Sequence, residues 1–262
     1  MTLFADHLTL SYQSNTIVPD VSLAINHGEI TCIVGANGCG KSTLLKALAG
    51  ILKPSRGEVR LNETSLSRWS RKALAKELAF LPQDPIAPEG ISVFQLVSHG
   101  RFAHQGLLGK VSEKDIEAVE MALKQTGMTA YRDRPFNSLS GGERQRGWIA
   151  LCIAQQAKIL ILDEPTTYLD IGHQYEVLSL LKKINRQHKT TIIMVLHDIN
   201  QASQFSDRIV TMQDGKVIAD DSPINTINEE MMNRVFGVKV EMQMHRDGEK
   251  IYPVAIPLCA GQ

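Results

Sequence analysis

Nowhere in this chain does an apolar run approach the about 20 residues needed to cross a bilayer, so no spanning segment is expected. The first residues, Met1-Thr2-Leu3-Phe4-Ala5-Asp6-His7, lack the basic start and long apolar middle of a secretory leader. Cysteine is scarce, with four residues at 32, 39, 152 and 259 and no C-x-x-C pair. That spacing argues against a zinc site or a disulfide framework and fits a reducing cytoplasm. An excess of one charge is missing too, because 28 Lys and Arg balance 28 Asp and Glu. The balance gives no sign of a nucleic-acid partner or a polybasic membrane patch. No internal repeat, low-complexity tract or flexible linker stands out. What is present is 262 residues, 43% of them hydrophobic, enough for one domain or a core with one inserted subdomain.

Residues 35–42, Gly-Ala-Asn-Gly-Cys-Gly-Lys-Ser, fit G-x-x-x-x-G-K-[ST] at every fixed position. They follow the apolar run Ile30-Thr31-Cys32-Ile33-Val34 and lead into Thr43-Leu44-Leu45-Lys46-Ala47-Leu48, which has helical composition. Strand, glycine turn and helix together predict a phosphate cradle formed by Gly35, Asn37, Gly38, Cys39, Gly40, Lys41, Ser42 and Thr43. Glycines let the backbone curl so that successive N–H groups point at phosphate, and the helix adds its positive dipole end. Lys41 is expected to reach the β- and γ-phosphates and Ser42 to coordinate Mg²⁺. Cys39, beside Lys41 at a helix start, is expected to be a reactive thiol that nucleotide protects, with a small, inert packing residue as the alternative.

Alternating residues such as Leu8-Thr9-Leu10-Ser11-Tyr12 suggest antiparallel strands up to about residue 30. Helical segments dominate between about 86 and 156, including Ser112 to Gly127 with Ser112 and Asp115 as a cap. Buried strands are expected at 159–162 and 191–196, flanking a helix over 173–187. Asp214-Gly215 between two apolar runs predicts a hairpin. The chain thus divides into a core of 1–85 and 157–220, a helical subdomain of 86–156 and a C-terminal extension of 221–262.

Ile159-Leu160-Ile161-Leu162 ends in Asp163-Glu164, and ligands collect at the carboxyl ends of strands in open α/β sheets. The first acid is expected to hold Mg²⁺ and the second to polarise an attacking water. Leu139-Ser140-Gly141-Gly142-Glu143 then offers a hydroxyl and bare amides at a helix start. These segments together resemble the signature of ATP-binding cassette (ABC) ATPases over almost the whole chain. The resemblance implies an α/β fold, a P-loop NTPase core with an antiparallel β portion and an inserted α-helical subdomain. It also implies ATP and Mg²⁺ as cofactors, with Tyr12 stacking on adenine, Gln83 sensing γ-phosphate and metal, and His197 contacting the γ-phosphate. Glu164, His197, Lys41 and Gln83 are then the catalytic set, and Ser42, Gln83 and Asp163 the metal set. Ser140, Gly141 and Gly142 would bind nucleotide held by a second copy of the chain, with Asp170 following the carboxylate pair. Where many members carry glutamine this chain has Glu143, and the reading favoured for it is a capping box with Ser140 and not a weakened site.

The stretches 99–104, 166–174 and 197–202 are similar to ATPase subunits of bacterial ferric-siderophore importers, a group related to vitamin B12 and haem importers. That resemblance implies a peripheral protein on the cytoplasmic face of the inner membrane. It would be bound to polytopic permease subunits near residues 84–104 and linked indirectly to a substrate-binding protein. A vitamin B12 or haem importer is the nearest alternative, and a cassette without transport a more distant one. His99, His104 and His173 are scattered without a carboxylate or cysteine cluster and are not read as iron ligands.

Overall fold

The computed structural model describes residues 2–106 and 111–260. The chain begins β1 (Leu3–Tyr12), β2 (Asn15–Ile25), β3 (Ile30–Gly35), α1 (Lys41–Leu48), β4 (Arg56–Leu61) and β5 (Thr64–Ser65). It continues α2 (Arg71–Glu77), β6 (Leu78–Leu81), α3 (Val93–Ser98), α4 (Glu113–Gln125), α5 (Gly141–Ala154), β7 (Ile159–Leu162) and α6 (Ile171–His188). Last come β8 (Thr191–Val195), α7 (Ile199–Phe205), β9 (Arg208–Gln213), β10 (Lys216–Asp221), α8 (Pro223–Thr226), α9 (Glu229–Phe236), β11 (Val238–Asp247) and β12 (Lys250–Ala260). Two compact units result, Met1–Ser67 with Ile193–Gln262, and Arg68–Ile192.

In the first unit β2, β1, β4 and β5 form an antiparallel sheet in that order. Leu3, Ala5, Leu8 and Leu10 of β1 are buried while the residues between them are not, as in a half-buried strand. All six residues of β3 are buried, and the strand pairs in parallel with β9, which carries β10 as an antiparallel edge. Such an unbroken apolar run belongs in a strand covered on both faces. Leu44, Leu45 and Leu48 of α1 are fully buried, so that stripe serves packing.

The second unit holds the parallel pair β6 and β7 and a helical cluster of α3, α4 and α5 around Phe136. Gly147 admits that ring, since a Cβ there would lie 2.6 Å from Phe136 Cε2. Ser112 and Asp115 form the expected capping box on α4. Arg101 reaches this cap, with its Nε donating to Asp115 Oδ1 at 3.0 Å and its Nη1 to the Ala154 carbonyl at 2.7 Å. Burial pushes the Asp115 carboxyl up, but Ser112 and the Arg101 guanidinium outweigh it and hold the group at about 2.

Two differences from the sequence reading have local causes. Helix α6 starts at Ile171, not 173, because the Asp170 carboxylate caps it by accepting from the His173 amide at 2.9 Å. The C-terminal extension, for which the sequence reading gave bounds and no elements, carries β11 and β12 as a ten-residue ladder. It docks on α7 through reciprocal bonds between Asn200 and Ala255 and through Ser203 Oγ, which donates to the Pro253 carbonyl at 2.6 Å.

Candidate functional site

The predicted cradle lies in the first unit, where β3 delivers the chain into α1. Gly38 and Gly40 have φ of 78° and 100°, a left-handed curl that most residues avoid. The loop is pinned from both sides: Cys39 N donates to the Ala36 carbonyl at 3.3 Å, and Gly215 N donates to the Cys39 carbonyl at 3.1 Å. A Cβ on Gly38 would meet nothing within 4 Å, so this side of the curl faces open space. The Lys41 side chain is only 5% exposed, and its Nζ donates to the carbonyls of Gly35 and Ala36 at 2.9 Å each. Those partners are neutral carbonyls, so the pair of bonds aims the nitrogen without supplying a negative charge. An open left-handed glycine at 38, a second left-handed glycine packed against Val18 at 40, a helix start and a buried cation fit a polyphosphate. Tyr12, at the end of β1, is 45% exposed and available for stacking. His197 is exposed directly after buried Leu196, and the following Asp198 caps α7.

Cys39 is a correction. The thiol is 7% exposed, and burial pushes it up by more than the nearby Lys41 charge and backbone amides pull it down. Packing, not reactivity, describes this residue. Cys32 is likewise pushed up by burial, and Cys152 is pushed up to about 12. Brief alkylation of the native chain at pH 8 is therefore expected to modify the exposed Cys259 at least about tenfold faster than the other three. Peptide mapping reads this directly, and fast labelling of Cys39 would restore the reactive thiol.

In the second unit, β7 ends in Asp163 and Glu164, which are 2% and 9% exposed. Asp163 is placed by its amide, which donates to the Leu81 carbonyl of β6 at 2.9 Å. Glu164 has φ of 54°, a left-handed conformation that costs a non-glycine residue about 1–2 kcal/mol. This turn swings its carboxylate onto Gln83, whose Nε2 donates to Glu164 Oε2 at 2.6 Å. The Thr167 hydroxyl donates to the same oxygen at 3.0 Å. Two residues singled out separately in the sequence are thus in contact, and a third, Thr167, joins them. The i, i+3 spacing of Glu164 and Thr167 across Pro165 was the available signal for it.

Ser140 caps α5 in a capping box: its amide donates to Glu143 Oε2 at 2.8 Å, and its Oγ accepts from the Glu143 amide. The Ser140 amide, then the Tyr131 hydroxyl, hold the Glu143 carboxyl below its usual range. Glu143 therefore acts as a cap in this chain. Gly141 is open, but Gly142 is not, since a Cβ there would come within 2.6 Å of the His173 ring. His173 is oriented by Asp170, whose Oδ2 lies 2.8 Å from Nδ1. Asp170 in turn is held below the usual carboxylate range, first by the His173 amide. A cleft of about 220 Å³ is lined by Gln83, Gly141, Arg144, Glu164, Thr167 and Tyr168. The other histidines lie apart: His99 stacks on Phe102, and His104 Nε2 lies 2.8 Å from the Gln155 carbonyl.

Comparison with known proteins gives the family. The family model for ABC transporters matches residues 18–167. A petrobactin import ATP-binding protein of Bacillus anthracis is 46% identical over 95% of this chain and 91% of its own length. An achromobactin transport ATP-binding protein of Dickeya dadantii is 48% identical over 88% of this chain and 86% of its own. A bacterial ABC transporter cassette solved as a dimer superposes with a TM-score of 0.75 at 28% identity, covering 84% of this chain and 98% of that one. The chain belongs to the ABC transporter family and is one of its ATP-binding, ATP-hydrolysing subunits.

Proposed function

We propose that this protein powers a bacterial ferric-siderophore importer from the cytoplasmic face of the inner membrane. The observation that carries the reading is the pair of siderophore-transport relatives at 46% and 48% identity over nearly the whole chain. In this reading Mg·ATP, when bound, supplies the phosphoryl group and a divalent charge that offsets its oxygens. Tyr12 stacks on the adenine, while the amides of Gly35–Thr43 and the Lys41 ammonium hold the phosphates. Ser42, Asp163 and Gln83 provide the oxygens that fit a hard cation. Glu164 takes the proton of the attacking water, and His197 steadies the charge developing on the γ-phosphate. Two copies close head to tail, with Ser140, Gly141 and Gly142 of each meeting the nucleotide of the other. The differential affinity of nucleotide for the closed state then drives motion. None of the described helices is long and apolar enough to cross a membrane, which supports separate permease subunits as partners. Residues 86–156 form the helical subdomain in this scheme, and exposed Ile86 and Phe102 suit the docking face. A substrate-binding protein would deliver cargo to the permease.

Deletion of the gene is expected to abolish uptake of radiolabelled iron from one or more ferric siderophores. Wild type should restore it and Lys41→Ala should not. Undiminished siderophore uptake with a defect in haem or labelled vitamin B12 would move the protein to that neighbouring group.

A further inference from the structure

The geometry around Glu164 points to Thr167 as a positioning residue for the water-activating carboxylate. The inference rests on the reading of Glu164 as the general base. We take Thr167 to act through Glu164 and not to touch nucleotide itself. Glu164 is held in a left-handed turn closed by its own carbonyl, which accepts from the Thr167 amide at 3.3 Å. The Thr167 hydroxyl then returns to Glu164 Oε2 at 3.0 Å, so backbone and side chain of the same residue both grip residue 164. Gln83 Nε2 donates to that same oxygen at 2.6 Å. One donor comes from the loop after β6 and the other from the turn after β7, and together they hold Oε2 in place from two sides. A side chain with three rotatable bonds that must meet a water within hydrogen-bond reach loses rate when it wanders. Thr167 is also well suited to stay put, because a β-branched side chain is stiff at χ1. Gln83 is expected to move with the metal and phosphate it senses. Thr167 is the donor whose position is fixed by the same turn that carries Glu164, so it is the permanent half of the clamp.

The test uses the purified full-length chain. Thr167→Val keeps the shape and removes the donor, while Thr167→Ser keeps the donor and removes the methyl. Thr167→Val is expected to lower kcat for ATP hydrolysis roughly tenfold, the scale of one hydrogen bond to a charged group. KM and the ATP dissociation constant, measured by equilibrium dialysis, should stay within about twofold. Thr167→Ser should return kcat to within about threefold of wild type. In a Glu164→Gln background, Thr167→Val should cause no further loss, because a residue acting through Glu164 has nothing left to position. Wild-type kcat in Thr167→Val alongside a strong defect in Glu164→Gln would overturn the role of Thr167. So would weakened ATP binding, or an additive loss in the double variant, either of which marks a general structural role. Wild-type turnover in Glu164→Gln itself would instead remove the base on which the inference rests.

Discussion

Glu164→Gln is expected to keep ATP bound while hydrolysis falls on the order of 10²- to 10⁴-fold. The substitution preserves size and leaves an amide oxygen that can still accept from Gln83 and Thr167, so the turn after β7 should persist. Burial is no obstacle, since a neutral amide replaces a carboxylate at a position only 9% exposed. What disappears is the group that can take a proton from water. Lys41, held by the carbonyls of Gly35 and Ala36, is untouched, so the cradle should retain its affinity. With binding intact and turnover blocked, the closed two-copy state should accumulate in Mg·ATP and be visible by light scattering. Near-wild-type turnover in the complex with its membrane subunits would remove Glu164 from the role. A failure to bind ATP would show instead that the substitution had disturbed the cradle.

Much of this was legible in the chain, and the reasons differ by segment. The cradle was readable because strand, glycines and helix are all local, and the structure has β3, the left-handed Gly38 and Gly40, and α1 where the pattern puts them. The capping boxes at Ser112 and Ser140 were readable for the same reason. The contact of Gln83 with Glu164 was not, because 81 residues separate them and only the pairing of β6 with β7 brings them together. Nor does the sequence announce the left-handed Glu164, since no glycine or asparagine marks that position. Cys39 misled because its charged and helical neighbours are visible in sequence, while the burial that outweighs them is not. The C-terminal hairpin was half visible: Val238-Lys239-Val240-Glu241-Met242-Gln243 alternates cleanly, and Asp247-Gly248 marks a turn. Pro253 and Pro257 in the partner strand obscured it, as proline fits only an edge. Gly142 shows a further limit. The signature pattern ascribes its bareness to phosphate, and the structure adds the His173 ring packed where a Cβ would sit.

Gly35→Ala should destabilise the fold itself by about 3 kcal/mol or more, independently of nucleotide. The motif treats this residue as the first glycine of a phosphate loop, which predicts a binding defect alone. Its place in the structure predicts more. Gly35 is the last residue of β3 and pairs with Met212 of β9, and its φ of 151° is open only to glycine. A Cβ would lie 2.2 Å from the Met212 carbonyl oxygen, 3.2 Å from its carbon and 2.8 Å from Cys39 Sγ. The first two neighbours are backbone in a buried parallel ladder, so neither can swing aside as a surface side chain would. Relief requires β3 and β9 to separate, which breaks ladder bonds and opens packing around the fully buried Ile33 and Val210. Gly38→Ala is the control within the same loop. Its φ of 78° is also left-handed, but an added Cβ meets nothing within 4 Å, so the cost should be confined to about 1 kcal/mol of backbone strain. Urea unfolding without nucleotide separates the two effects. A large loss for Gly35→Ala and a small one for Gly38→Ala would locate the role of the first glycine in the sheet as well as in the cradle. Equal and small losses would mean that β3 and β9 have room to spare at Met212, leaving Gly35 with a binding role only.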